Sequence, residues 1–131
     1  MKFFNEMMGC PHMDCRYGKP HVPPNRIREQ LKMLLTRMVS LFNTIDIPCI
    51  IMHGSLIGWY FGKRILPWDD DIDVVILEEH REKLKTLHGF QDNDIAFEVN
   101  PSIDVVHRDP DNVIEARMIC KQTGVFIDIT N

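Results

Sequence analysis

The sequence predicts an α/β (α+β) fold, a small β-sheet flanked by helices. Two patterns carry that reading: one long stretch repeats apolar residues at helical spacing, and several short Val- and Ile-rich runs are bounded by turn residues. Its 131 residues make a one-domain length that buries roughly two thirds of its unfolded surface. A hydrophobic content of 44% fits a packed core, and a net charge of −4 provides no basic field for nucleic acid.

Residues 1–24 hold glycines, prolines and no periodicity, so they read as an irregular N-terminal arm. Asn25, after Pro23-Pro24, is a candidate helix cap. Ile27, Leu31, Leu34, Leu35, Met38, Phe42 and Ile45 then recur on one helical face. Pro48 ends that pattern, and Ile50-Ile51-Met52 reads as a buried strand running into Gly54-Ser55. A short helix is expected from Ser55 to Phe61, a second strand over Ile72–Leu77, and a charged helix over Glu78–His88 ended by Gly89. Alternating segments follow at Ile95–Val99, Ile103–His107 and Val113–Cys120, then a turn at Gln122-Thr123-Gly124 and a strand over Val125–Ile129.

Cys10 and Cys15 bracket His12. A zinc site, a Cys10–Cys15 disulfide and free thiols all fit that spacing, although zinc normally requires a second pair. Cys49 and Cys120 sit in apolar runs and read as small core residues. No window approaches the ~18 apolar residues of a membrane span, and the N-terminus lacks a secretory core, so a soluble chain is expected.

The candidate chemistry lies in Asp69, Asp70, Asp71 and Asp73. Strand side chains alternate faces, so Asp71 and Asp73 point the same way while Ile72 points inward. Two carboxylates one strand repeat apart converge naturally on Mg²⁺ or Mn²⁺, which removes their mutual repulsion. Asp128, alone among Phe126, Ile127 and Ile129, needs a partner and supplies a third carboxylate if its strand neighbours Asp71 and Asp73. Gly54 permits close backbone approach to a phosphate, and Ser55 at a helix start offers its hydroxyl and N–H. A solvated acidic loop is the alternative reading; an EF-hand is not, because its glycine and distal glutamate are missing. His53 reads as a structural histidine or a site neighbour, Trp59 and Trp68 as packing or stacking groups, and Glu98 and Asp104 as further carboxylates that alternation does not place.

His53-Gly54-Ser55-Leu56-Ile57-Gly58-Trp59, followed by Ile65-Leu66-Pro67-Trp68-Asp69-Asp70-Asp71-Ile72-Asp73, resembles the signature of the LicD family, which includes fukutin and fukutin-related protein within the nucleotidyltransferase-fold superfamily. With the lead-in His21-Val22-Pro23-Pro24-Asn25, the likeness is strongest to fungal members. The resemblance implies a small mixed sheet flanked by helices over residues 25–131, in a domain that family members continue past the third carboxylate. It also implies transfer of a substituted phosphate, of the phosphocholine or phosphoribitol type, from a CDP-linked donor such as CDP-choline to a glycan hydroxyl. Asp71, Asp73 and Asp128 would be the catalytic and metal-binding carboxylates, with Asp69 a further ligand. Gly54, Ser55 and Arg64 would bind donor phosphate, a solvated loop being the other reading of Lys63 and Arg64. Family members work in the cytosol and in the secretory lumen, including the Golgi, so the compartment stays open. Two rival readings are a nucleotidyltransferase using a nucleoside triphosphate and a non-catalytic metal-binding remnant.

Overall fold

A computed structural model describes residues 1–131. Helix α1 spans Pro24–Thr44 and buries Leu31, Leu34, Met38 and Phe42, the centre of the expected stripe. Pro24 occupies the first turn, where a missing N–H costs nothing. Asn25 therefore lies inside the helix, and the N-cap is Pro23, without a side-chain cap. Strand β3 (Ile50–Met52) passes directly into α2 (His53–Gly62), which starts two residues before the expected helix and is closed by Lys63 in a left-handed conformation.

Strand β4 (Ile72–Val75) is followed by a 3₁₀ turn at Glu78–His80 and a short α3 (Arg81–Lys85); Gly89 at φ 82 ends the segment, as expected. Strands β5 (Ile95–Val99), β6 (Ala116–Cys120) and β7 (Phe126–Thr130) complete the sheet. Two short strands, β1 (Glu6–Met7) and β2 (Cys10–Asp14), lie in the arm. The expected strand at Ile103–His107 does not form: that segment is turns, with Val105 and Val106 exposed. The Asn100 side chain accepts the Ser102 N–H and donates to the Ile114 carbonyl, turning the chain away from the sheet. Asp109 then caps a 3₁₀ turn at Pro110–Asn112, so β6 starts at Ala116 rather than Val113.

The sheet order is β3-β4-β7-β6-β5, with β4 and β7 parallel and the other neighbours antiparallel. This is the expected mixed sheet. Ile72, Val74, Ile127 and Ile129 alternate onto the α1 face and join Leu31, Leu34, Met38 and Phe42 in one core. Full burial of such a side chain contributes ~1.5–3 kcal/mol, enough for the stripe to dock α1 firmly. Phe42 meets Phe97 edge to face at 6.3 Å. Cys120 donates to Gln30 at 2.8 Å, and all four cysteines are free thiols.

The opposite face carries the polar side chains and the arm. Within residues 1–24, β1 (Glu6–Met7) pairs antiparallel with β2 (Cys10–Asp14). Met13 bridges Val125, and the Asp14 N–H donates to the Gly124 carbonyl at 2.8 Å. Gly124 has φ 83, and a Cβ there would lie 2.4 Å from Gly18 Cα, so only glycine lets the arm cross β7 this closely. No helix is long and apolar enough to cross a membrane.

Candidate metal and phosphate site

The sheet register sets out the site. Met52, Asp73, Asp128, Arg117 and Glu98 face one another in turn across five strands, forming a single row on the face away from α1. Asp71 precedes β4 and shares the face of Asp73, because Ile72 between them is buried in the core. Asp73 therefore meets Asp128 through parallel pairing, as the strand reading required.

Asp128 has an additional partner that the sequence reading did not identify. Arg117 donates from Nε to Oδ1 at 2.6 Å and from Nη2 to Oδ2 at 3.0 Å. Its guanidinium is 2% exposed and lies 3.5 Å from the Phe126 ring and 5.0 Å from that of Phe4. A signal was available: an arginine inside an apolar strand needs a buried anion just as a lone aspartate needs a cation. Glu98, at the end of the row, is clasped by Arg16 at 2.6 and 2.8 Å, and Asp104 pairs with Lys85 at 2.7 Å. Neither is a free base.

The carboxylates outnumber the cations beside them. Burial pushes Asp71 up to about 6; His12 opposes the shift, while Asp73, Asp70 and Asp69 add to it. Asp69 is raised by burial and then by Asp70 and Asp73, with His12 opposing. Asp128 is raised by burial, which outweighs the opposing Arg117. Asp69 Oδ2 is buried without any hydrogen-bond partner. An orphaned carboxylate oxygen among raised neighbours, in an all-oxygen set, fits a hard divalent cation such as Mg²⁺ or Mn²⁺.

The Gly-Ser turn adjoins this set. A Cβ on Gly54 would lie 2.7 Å from Asp69 Oδ2, so the glycine lets that carboxylate abut the first turn of α2. Ser55 Oγ accepts the Asp73 N–H at 3.3 Å, tying α2 to β4. No side chain caps α2, which leaves its first N–H groups available to an anion. Arg64 is not gathered with the aspartates; it lines a largely apolar cavity of about 180 Å³ in which Lys32, Lys63 and Ser55 meet Leu35, Ile51, Trp59, Ile65 and Ile72. Lys63 Nζ sits 3.5 Å over the Trp59 ring, and Trp68 is exposed.

One further group reaches the cluster. His12, from β2, contacts Asp70 at 2.5 Å and lies 3.7 Å from Asp71. Its pKa is raised: burial lowers it, but the Asp70 hydrogen bond and the charges of Asp71, Asp70 and Glu6 outweigh burial. The sequence places His12 only inside a cysteine pair, 58 residues from Asp70, so no local pattern links them.

Comparison with known proteins identifies the family. The family described as LicD/FKTN/FKRP, nucleotidyltransferase domain, matches residues 46–130, which include Gly54, Ser55, every aspartate from Asp69 to Asp73, and Asp128. Mannosyltransferase regulator 4 of Saccharomyces cerevisiae is 31% identical over 90 residues, covering 61% of this chain and 8% of that protein. Human ribitol-5-phosphate transferase FKTN is 23% identical over 104 residues, 70% of this chain and 22% of its own length. Mannosyltransferase regulator 14 of S. cerevisiae is 26% identical over 117 residues, 82% of this chain and 12% of its own length. The matched part is thus at most 22% of the length of these relatives. On the match over residues 46–130, the chain belongs to the LicD/FKTN/FKRP nucleotidyltransferase-domain family.

Proposed function

We propose that this domain transfers a substituted phosphate, of the phosphocholine or phosphoribitol type, from a CDP-linked donor to a sugar hydroxyl of a glycan. The observation that carries the reading is the parallel register of Asp73 with Asp128, beside Asp71 and the Gly54-Ser55 turn. Asp69, Asp71, Asp73 and Asp128 would hold Mg²⁺ or Mn²⁺, which supplies charge neutralisation at the transferring phosphorus. Gly54 and Ser55 bind the donor phosphate through backbone N–H groups and a hydroxyl. We assign Arg64 to neutralise the donor's charge; the cavity it lines with Lys32 and Lys63 lies on the α1 side of the sheet, against Ile51 and Ile72. The exposed Trp68 ring offers a stacking face to a base or sugar. In the transfer, a bond forms between the sugar oxygen and phosphorus as the bond to CMP breaks. CMP leaves, and the hydroxyl proton passes to water, since Arg117 holds both oxygens of Asp128.

The test is calorimetric titration of Mn²⁺ into the wild type and into Asp71→Asn/Asp73→Asn, with and without CDP-choline. Binding that disappears in the variant and tightens with donor supports the reading. Equal binding by the variant would overturn the carboxylate assignment.

A second reading is a metal-binding regulatory domain without turnover, favoured because two matched yeast relatives are named mannosyltransferase regulators. It expects the same metal affinity and no tightening by CDP-choline. Preferential protection of the fold by a nucleoside triphosphate would instead favour nucleotidyl transfer.

A further inference from the structure

The hairpin of the arm brings one imidazole into the aspartate cluster. The His12 backbone N–H donates to Glu6 Oε2 at 3.1 Å, and the residue sits in the left-handed region at φ 64, which re-aims the side chain relative to its strand neighbours. Beside it, Met13 is buried and Asp14 is 1% exposed, so the strand carrying His12 is anchored. Asp14 also receives Arg16, which in turn clasps Glu98 of β5.

The imidazole is oriented by its contacts. Nδ1 lies 2.5 Å from Asp70 Oδ1. An ionised carboxylate only accepts, so Nδ1 carries the proton, and in the neutral ring Nε2 keeps its lone pair. Nε2 lies 3.7 Å from Asp71 Oδ2, too far for a hydrogen bond. The separation suits two ligands of one octahedral ion, for which ~2.1 Å bonds give spacings from about 3 to about 4.2 Å. His12, Asp70 and Asp71 offer donor atoms within 4.8 Å of one another, and the orphaned Asp69 Oδ2 belongs to the same acidic run. A carboxylate that takes the distal N–H of a ligating histidine is a recurrent support for metal sites. Residue 12 lies outside the matched span of residues 46–130.

We propose that His12 is a nitrogen ligand of the divalent cation, oriented by Asp70, so that the arm completes the site and biases it toward Mn²⁺ over Mg²⁺. The bias follows because imidazole is a good ligand for transition metals, whereas Mg²⁺ prefers oxygen. The inference rests on the reading that Asp71 and its neighbours hold a cation.

The test uses the 131-residue chain with Mn²⁺ alone, read by calorimetry and by electron spin-echo modulation, which detects a coordinated nitrogen without any turnover. The wild type is expected to show imidazole ¹⁴N modulation. His12→Ala and His12→Gln are expected to lose that modulation and bind Mn²⁺ about 10- to 100-fold more weakly, with Mg²⁺ affinity changed far less. Wild-type Mn²⁺ binding without ¹⁴N modulation, or variants that bind Mn²⁺ as tightly as wild type, would overturn the proposal. Asp71→Asn/Asp73→Asn separates the two readings. If it abolishes binding while the His12 variants do not alter it, only the His12 role fails; if it leaves binding intact, the carboxylate assignment fails.

Discussion

Arg117 and Asp128 form a two-pronged ion pair across β6 and β7, with N–O distances of 2.6 and 3.0 Å, and Asp128 faces Asp73 on its other side. One carboxylate is thus shared between a structural cation and the candidate metal site. Its oxygens keep further lone pairs beyond the two that Arg117 takes.

Removing Arg117 leaves Asp128 buried without its counter-charge. Arg117→Met is expected to cost about 3–5 kcal/mol, and Arg117→Met/Asp128→Asn to recover part of that, because loss of one partner is worse than loss of both. Urea denaturation of the two variants checks this. A double variant less stable than the single would contradict it.

Asp71 gives the metal-free chain a characteristic pH response. Its folded pKa, about 6, lies above the unfolded value near 3.8, so the folded state holds the proton more tightly. The stabilisation is complete below pH ~4 and is lost as pH rises through about 6. In EDTA, Tm of the wild type should therefore fall across that window relative to Asp71→Asn, which lacks the titration. Mn²⁺ should restore the wild type above pH 6 and not the variant, by favouring the ionised carboxylate.

Asp92 provides the opposite slope, remote from the site. Arg37 and the backbone N–H groups of Ile95 and Asp94 hold it down to about 2. Its stabilisation is present above the unfolded value near 3.8 and is lost as pH falls through about 2. Asp92→Asn should flatten the acid limb of the stability curve while leaving Mn²⁺ affinity unchanged. Acid titration followed by circular dichroism reads the first outcome and calorimetry the second.

Two glycine substitutions should separate site from scaffold. At Gly54 an alanine Cβ meets the Asp69 carboxylate, a side-chain end that can move, so Gly54→Ala should weaken Mn²⁺ and donor binding more than stability. At Gly124 the obstacle is the Gly18 backbone and φ is positive. Strain of ~1–2 kcal/mol adds to an overpacking cost of ~1–3 kcal/mol, and residues 1–24 should become protease-sensitive. Limited proteolysis of both variants distinguishes them; equal protection of the arm would contradict the assignment of Gly124 as its crossing point.

By itself the sequence determined the parts whose signal is local. The stripe from Leu31 to Phe42 and the alternation Asp71-Ile72-Asp73 follow from periods of 3.6 and 2, which hold before any tertiary contact forms; the apolar run Ile50–Met52 is a strand as expected but not a buried one, because it lies at the sheet edge with Ile50 exposed. Alternation at Ile103–His107 carried the same signal and yielded turns, because the Asn100 and Asp109 side chains compete for the backbone there. Only the tertiary structure decided that Asp128 would share its charge with Arg117 and that His12 would reach Asp70 from 58 residues away. Those pairings depend on strand order and on where the arm crosses β7, and both are set by burial across the whole chain rather than by neighbouring residues.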